Sequence, residues 1–509
     1  MPEVKKRKKA DGALILAVDQ GTTGTKAALF DQEGRMVAVH YRPLPQIYPR
    51  PGWVEHDPME IWHAAMACID AVLADPETAA RVAAIGITNQ RETAIAWNRH
   101  TGLPVGNAIV WQCQRSAALC DQWRQDGLTT LVAERTGLVI DAYFSGTKWQ
   151  WLLEEVPETW ALIREGDLCF GTVDSWLIWN LTGGQKHVTD WTNASRTMLF
   201  DIHNCHWDID LLDYTGITMN SLPRPVPSSG VAGETVAIGN LPAGIPIAGI
   251  AGDQQAALFG QCCFWPGMVK NTYGTGCFVL MPTGHVALYD APLRSGLLAT
   301  MAAAPPGEKL YALEGSVFIA GAVIQWLRDE LGLLTDAAES EKLAAGVPDT
   351  GGVYFVPAFT GLGAPHWDMY ARGTILGLTR GTSKAHLVRA ALEAMAYQSR
   401  EVIELMAKES GESVTVLRAD GGASANNFLM QFQADILDVE VERAAVLETT
   451  ALGAAYLAGL GVGLWPDVEA ITACRQEPDV FCPTMTPETR AALCRGWERA
   501  VERAKNWAD

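Results

Sequence analysis

Residues 14–30 read LILAVDQGTTGTKAALF. Leu14 through Val18 form an apolar run of strand length that stops at Asp19. Gly21-Thr22-Thr23-Gly24-Thr25-Lys26 turns the chain, and Ala27-Ala28-Leu29-Phe30 returns at once, so the spacing predicts a tight β-hairpin. Glycines let backbone N–H groups approach an anion closely, and threonines add hydroxyl donors. A carboxylate at the strand end, Asp19, suits a hydrated Mg²⁺, and Lys26 suits phosphate charge. This is the chemistry of a nucleoside triphosphate site. It is not the GxxxxGK[ST] phosphate loop, because the spacing differs and a strand, not a helix, follows. A hairpin that binds nothing would share the local pattern, but residues 268–281, MVKNTYGTGCFVLM, repeat it around Gly274-Thr275-Gly276. Two such hairpins, each opening half of the chain, predict a duplicated α/β domain with a nucleotide clamped between the copies.

The length of 509 residues exceeds one hydrophobic core. A hydrophobic share of 48% and a charged share of 19% belong to an ordinary globular protein. The net charge of −19 argues against a nucleic-acid partner. No apolar run reaches membrane-spanning length, so no membrane insertion is expected. Eleven cysteines without a CxxC pair read as reduced thiols of a cytoplasmic protein, with Cys262-Cys263 in a helix. The basic arm, residues 1–11, reads as a disordered start. The expected domains are 12–264 and 265–509, divided near Trp265-Pro266-Gly267.

Between the hairpins, Met36–Val39 predicts a third strand. Asp57, Pro58 and Glu60 open a helix whose Ile61, Ala65, Ile69 and Val72 form one apolar face. Val82–Thr88 predicts a buried strand that delivers Asn89-Gln90-Arg91-Glu92 at its end, where α/β proteins bind ligands. Ile109–Gln112 reads as another strand, and Tyr143–Leu152 as a loop opening a helix. His203-Asn204-Cys205-His206 fits no familiar metal spacing, and the sequon Asn193-Ala194-Ser195 is expected to stay bare. Leu222–Gly230 reads as a loop; Ile245–Gly252 is a strand leading to Asp253 and a helix. In the second half, Gly315–Trp326 predicts a helix of small residues and Leu387–Lys408 a long amphipathic one. Asp420–Asn427 sets a glycine pair before a helix, and Thr449–Gly459 reads as the last tightly packed helix.

These motifs resemble those of the FGGY carbohydrate kinases over nearly the whole chain. VDQGTT (18–23), GWVEHDPMEIW (52–62), GITNQRET (86–93), VWQC (110–113), YFSGTK (143–148), GDQQAALFGQ (252–261), NTYGTGCF (271–278) and DGGASANNFLMQFQADIL (420–437) carry the resemblance. It implies two duplicated ribonuclease H-like domains, of the type shared with actin, hexokinase and the heat-shock ATPases, with an interdomain cleft. It implies ATP-dependent phosphorylation of glycerol with Mg²⁺. Glycerol hydroxyls would meet Arg91, Glu92, Tyr143, Asp253 and Gln254, against an apolar wall of Trp111 and Phe278. Asp253 would act as general base. Thr22, Thr23, Gly24, Lys26 and Thr275 would surround the phosphates, and Gly321, Gln325, Gly422 and Asn426 would seat the nucleotide. Asp19 and Asp253 would hold Mg²⁺ through water. A homodimer or homotetramer is implied as well.

Two alternatives remain at this level. One is a kinase of the same family for a pentulose or a longer polyol. The other is a heat-shock-type ATPase, for which no residues remain to build a peptide-binding module. Many bacterial members of the family that act on glycerol are inhibited by fructose 1,6-bisphosphate through a Gly-Gly-Thr-Arg loop. The matching residues here are Leu241-Pro242-Ala243-Gly244, which lack the arginine. Some members are also inhibited by a phosphocarrier that shares zinc with a C-terminal glutamate, where this chain has Thr486. Insensitivity to both is therefore expected.

Overall fold

The computed structural model describes residues 12–288, 295–446 and 448–508, so the basic arm at 1–11 lies outside the described residues. The chain forms two compact units. Among the described residues, unit 1 comprises 12–262, Thr300–Tyr311 and Glu448–Arg475; unit 2 comprises 263–288, 295–299, 312–446 and 476–508. The units differ from a division into contiguous halves, because two later segments pack with the first.

Unit 1 is built on a six-stranded sheet. Its order is Ser229–Glu234, Pro246–Gly252, Val82–Asn89, β1 (Leu14–Gln20), β2 (Gly24–Phe30) and β3 (Met36–Pro43). β1 pairs antiparallel with β2 and parallel with Val82–Asn89, which in turn pairs parallel with Pro246–Gly252. The apolar run of β1 is thus central and covered on both faces, which is why it does not alternate. Helix α1 (Pro58–Val72) starts where Asp57 accepts a 2.7 Å hydrogen bond from the Met59 N–H, and buries Ile61, Ala65, Ile69 and Val72.

Unit 2 repeats the arrangement in the strands that lie wholly within it. Their order in the sheet is Cys277–Gly284, Met268–Tyr273, Val416–Asp420, Val441–Arg443 and Asp479–Phe481. The second Gly-Thr-Gly turn joins Met268–Tyr273 to its antiparallel partner Cys277–Gly284. Met268–Tyr273 also pairs parallel with Val416–Asp420, and the next neighbours repeat the parallel and antiparallel pairing of unit 1. The duplication expected from the two hairpins is present in the sheets.

The helix Thr449–Gly461 belongs to unit 1 rather than to the second half from which it comes. Small residues permit this. A Cβ added to Gly86 on the central strand would stand 2.1 Å from the Ala454 carbonyl oxygen, and one on Gly453 would stand 1.8 Å from that of Ala256. Gly453→Ala is therefore expected to cost about 1–3 kcal/mol or more of stability, because backbone, not a side chain, must move. Urea denaturation monitored by tryptophan fluorescence measures this; an unchanged midpoint would contradict the close packing.

Local expectations needed correction where tertiary pairing overrode local pattern. Gly315–Trp326 is not one helix: Leu310–Val317 is a strand, and the helix runs Gly321–Asp329. The helix before Cys262-Cys263 ends at Gly260, and Cys262 has a left-handed φ of 56°. Only Ala108–Ile109 of the strand expected at 109–112 is regular, paired with Glu55–His56, and Trp111 lies in a turn. Within 222–230, Arg224–Val226 forms a short strand beside Val188–Asp190. Val468–Ala473 and Pro487–Ala504 are further helices after Thr449–Gly461. No cysteine among the described residues forms a disulfide. No helix among the described residues is long and apolar enough to cross a membrane.

Candidate active site

In unit 1 three neighbouring parallel strands end together. The register aligns Asp19 with Thr88, and Gly252 with Asn89, so Asp19, the Gln90–Glu92 turn and Asp253 leave the same edge of the sheet. Carboxyl ends of parallel strands are where such sheets gather ligand groups.

Arg91 is the hub of the cluster. Its guanidinium Nε lies 3.3 Å from Asp253 Oδ1 and 3.7 Å from Glu92 Oε1. Nη1 donates to Gln255 Oε1 at 3.2 Å and Nη2 to the Tyr143 hydroxyl at 3.4 Å. Arg91 is 2% exposed, and such a buried cation is retained only where carboxylates offset its desolvation. Asp253 starts the helix Asp253–Gly260, and its Oδ1 accepts the Gln254 N–H at 2.7 Å. Trp111 meets the Tyr143 ring edge-on at 5.6 Å between centroids and donates its indole N–H to Thr22 Oγ1 at 2.9 Å. Arg91, Glu92, Trp111, Tyr143, Asp253 and Thr22 are thus brought into one neighbourhood.

The first hairpin lies beside it. Asp19 and Lys26 are cross-strand partners, and the turn closes through Gly21 N–H to Gly24 C=O at 2.9 Å. Asp19, Gly21, Thr23, Gly24, Lys26 and Tyr41 line a cleft of about 340 Å³. Burial pushes the Asp19 carboxyl up to about 7; Lys26 pulls it down, while Asp253 and Glu448 push it further up. Lys26 Nζ is 2.5 Å from Glu448 Oε2, so the hairpin cation is paired within the unit. A second cation facing Asp19 would relieve the cost that raises its pKa. No group of three or more His, Cys, Asp or Glu of metal-holding geometry occurs among the described residues. Mg²⁺, which keeps several waters and takes only one or two carboxylates, fits Asp19 and Asp253 all the same.

In unit 2 three glycine-bearing segments converge on the second turn. Gly321 N–H donates to Gly274 C=O at 2.9 Å, and Ala320 N–H to Thr275 C=O at 2.8 Å. Gly421 adopts φ 84° against the backbone of Tyr273, where an added Cβ would stand 2.6 Å from the Tyr273 oxygen. A Cβ on Gly422 would meet nothing within 4 Å, so that backbone borders open space. Thr275 and Gln325 are exposed and Phe278 is half-buried. Asn426 is already engaged: its Oδ1 caps the helix Asn427–Leu437 through Leu429 N–H, and its Nδ2 donates to Ser340.

Several residues of this site escaped the sequence reading. Arg196, fully buried, donates from Nε to Glu92 Oε1 at 2.7 Å. Lys148, also fully buried, hydrogen-bonds the carbonyls of Tyr143, Phe144 and Glu92. Burial pulls its pKa down to about 8 against the opposing pull of Glu92. Gln255, the neighbour of Gln254, accepts a hydrogen bond from Arg91. Asn193 of the sequon is buried, and its amide exchanges hydrogen bonds with that of Asn89 at 3.0 and 3.1 Å. The signal available was a charge in a run otherwise destined for the core, as with Arg196 before Thr197-Met198-Leu199-Phe200. In the stretch 203–206, His203 bonds the Glu134 carbonyl and His206 that of Trp207.

The N-terminal domain of the FGGY family of carbohydrate kinases matches residues 14–260, and its C-terminal domain matches residues 269–462. A glycerol kinase of Carboxydothermus hydrogenoformans is 57% identical over 497 residues, covering 97% of this chain and 98% of that protein. The solved glycerol kinase of Plasmodium falciparum with ADP is 36% identical, with a TM-score of 0.90 over 97% of this chain and 98% of that one. A xylulose kinase of Lactobacillus acidophilus, 23% identical with a TM-score of 0.86 over 96% of this chain and 97% of that one, shares the fold. Two matched domains in order, on two sheets that repeat one pairing pattern, make one conclusion unavoidable: the chain belongs to the FGGY family of carbohydrate kinases.

Proposed function

We propose that the chain transfers the terminal phosphoryl group of ATP to glycerol, giving ADP and sn-glycerol 3-phosphate. The observation that carries this reading is the Arg91–Glu92–Tyr143–Asp253 cluster at the strand ends, with Arg91 and Glu92 buried and Tyr143 and Asp253 half-buried, in a chain 57% identical to a glycerol kinase over 497 residues. A small triol has little surface to bury, so charge-assisted hydrogen bonds must supply its affinity. Arg91, Glu92, Tyr143, Asp253 and Gln254 take the hydroxyls, with Trp111 and Phe278 as the apolar walls. Asp253 accepts the proton of the attacking terminal hydroxyl. Its 2.7 Å bond from Gln254 N–H and its approach to Arg91 hold the carboxylate in one orientation.

Thr22, Thr23, Gly24, Lys26 and Thr275 take the phosphates; Gly321, Gln325, Gly422 and Asn426 take the nucleoside. Asp19 and Asp253 would hold Mg²⁺ through water, and that ion, when bound, neutralises charge on the phosphates. The reaction belongs to glycerol catabolism in the cytoplasm, in a homodimer or homotetramer. A coupled assay of ADP release against glycerol, longer polyols and pentuloses tests the reading. Glycerol is expected to give the highest kcat/KM; a pentulose in that place would overturn it.

Insensitivity to effectors is part of the proposal. Pro242 and Ala243 line a cavity of about 650 Å³ with Leu73, Ala79, Val82, Asn240 and Ile245 among others, and its lining includes no basic side chain. Such a surface offers no charge to offset desolvation of two phosphates. Thr486, at the position of the zinc-sharing glutamate, caps the helix Pro487–Ala504. Millimolar fructose 1,6-bisphosphate is expected to leave the rate within twofold at low and high enzyme concentration. Strong inhibition would show that another basic surface binds it.

A further inference from the structure

We infer that Arg196 is the positioning residue of the acceptor pocket, holding Glu92 and Tyr143 in the geometry that reads the substrate hydroxyls. The inference rests on the function proposed above. Arg196 follows the short helix Trp191–Ala194, which Asp190 caps through the Thr192 and Asn193 N–H groups. The same turn is fixed to both neighbouring strand ends. Thr192 Oγ1 accepts the Gly252 N–H at 2.8 Å, one residue before Asp253, and Asn193 pairs with Asn89, two residues before Arg91. Arg196 therefore projects from a support that is rigid relative to both.

Its side chain is fully buried and its Nε donates to Glu92 Oε1 at 2.7 Å. The guanidinium carbon lies 5.7 Å from the Tyr143 ring centroid and 5.1 Å from that of Phe144, within cation–π range of both. One cation thus touches two of the groups assigned to the acceptor. Glu92 needs such a hold, because its φ of 60° is left-handed, a conformation that costs a residue with a long side chain free energy. Its carbonyl is tied by Ser145 Oγ at 3.1 Å and Lys148 Nζ at 3.4 Å, while Arg196 and Arg91 approach its carboxylate. The backbone ties set where Glu92 sits. The Arg196 bond sets where its carboxylate points.

The test compares Arg196→Gln, Arg196→Lys and Arg196→Ala with the unaltered protein, measuring KM for acceptor, KM for ATP and kcat. The expected result is a rise in KM for the acceptor of about 10- to 100-fold in Arg196→Gln, with KM for ATP within about threefold. Arg196→Lys is expected to lie between, because charge remains but the planar fork is lost. Millimolar ethylguanidinium is expected to restore Arg196→Ala several-fold by occupying the vacated space. Equal losses for both substrates, no rescue, or a failure of all three variants to fold would overturn the assignment, since each indicates a role in general stability. If the unaltered protein prefers another acceptor to glycerol, the proposed function fails. The same KM split, measured for that acceptor, then decides Arg196 separately.

Discussion

Replacing Asp253 by asparagine is expected to lower kcat by about two to four decades, the scale of a lost general base, while leaving the fold intact. The amide matches the carboxylate in shape and can still accept the Gln254 N–H and face Arg91, two contacts that orient the group at 2.7 and 3.3 Å. What it cannot do is take the proton of a hydroxyl. Arg91 would keep a carboxylate partner in Glu92, so no cation is stranded in the interior. The substitution also removes one of the negative charges that push up the pKa of Asp19, which should move down from about 7. Stopped-assay turnover with saturating glycerol and ATP gives the rate, and thermal denaturation confirms the fold. A rate close to that of the unaltered protein would sink the assignment of the base.

Arg91→Ala is expected to weaken glycerol binding by roughly 100-fold or more, with ATP affinity in the absence of glycerol changed by less than about threefold. Two charge-assisted hydrogen bonds to hydroxyls are worth about 3 kcal/mol or more together, and each 1.4 kcal/mol is tenfold in affinity. The truncation also leaves Glu92 and Asp253 without the cation that lies 3.7 and 3.3 Å from them, so mutual repulsion disorders the remaining pocket. Arg196 at 2.7 Å limits the damage at Glu92, which is why the fold should survive. Isothermal titration with each ligand separates the outcomes. Parallel losses for glycerol and ATP would assign Arg91 to the phosphates or to the core instead.

The legible part of the site lay in residues whose neighbours in sequence announce them. Asp19, Arg91-Glu92 and Asp253 each follow a run of apolar residues at a strand end, and a polar group there emerges at the sheet edge whatever the remaining fold does. The hairpin around Gly21–Gly24 was equally local, since glycine and threonine between two short apolar runs leave the backbone little choice. The reading failed where two local states were close in energy. Gly315–Val317 could extend a helix or lie in a sheet, and pairing decided for the strand. Trp111 belongs to a turn because only Ala108–Ile109 finds a strand partner.

The sequence by itself determined the duplicated α/β plan, the two hairpins and the strand-end polar groups, because each depends on periodicity and turn chemistry within about ten residues. Tertiary structure alone decided which charges meet. Arg196 reaches Glu92 across 104 residues, and Lys26 reaches Glu448 across 422. No local rule pairs such groups; each is a charge that could equally be solvated until a particular packing buries it. The same holds for the helix Thr449–Gly461, whose small residues fit against any glycine-lined surface. Its place in unit 1 follows from Gly86 and the backbone at Ala256, two features that become neighbours only once the sheet has formed.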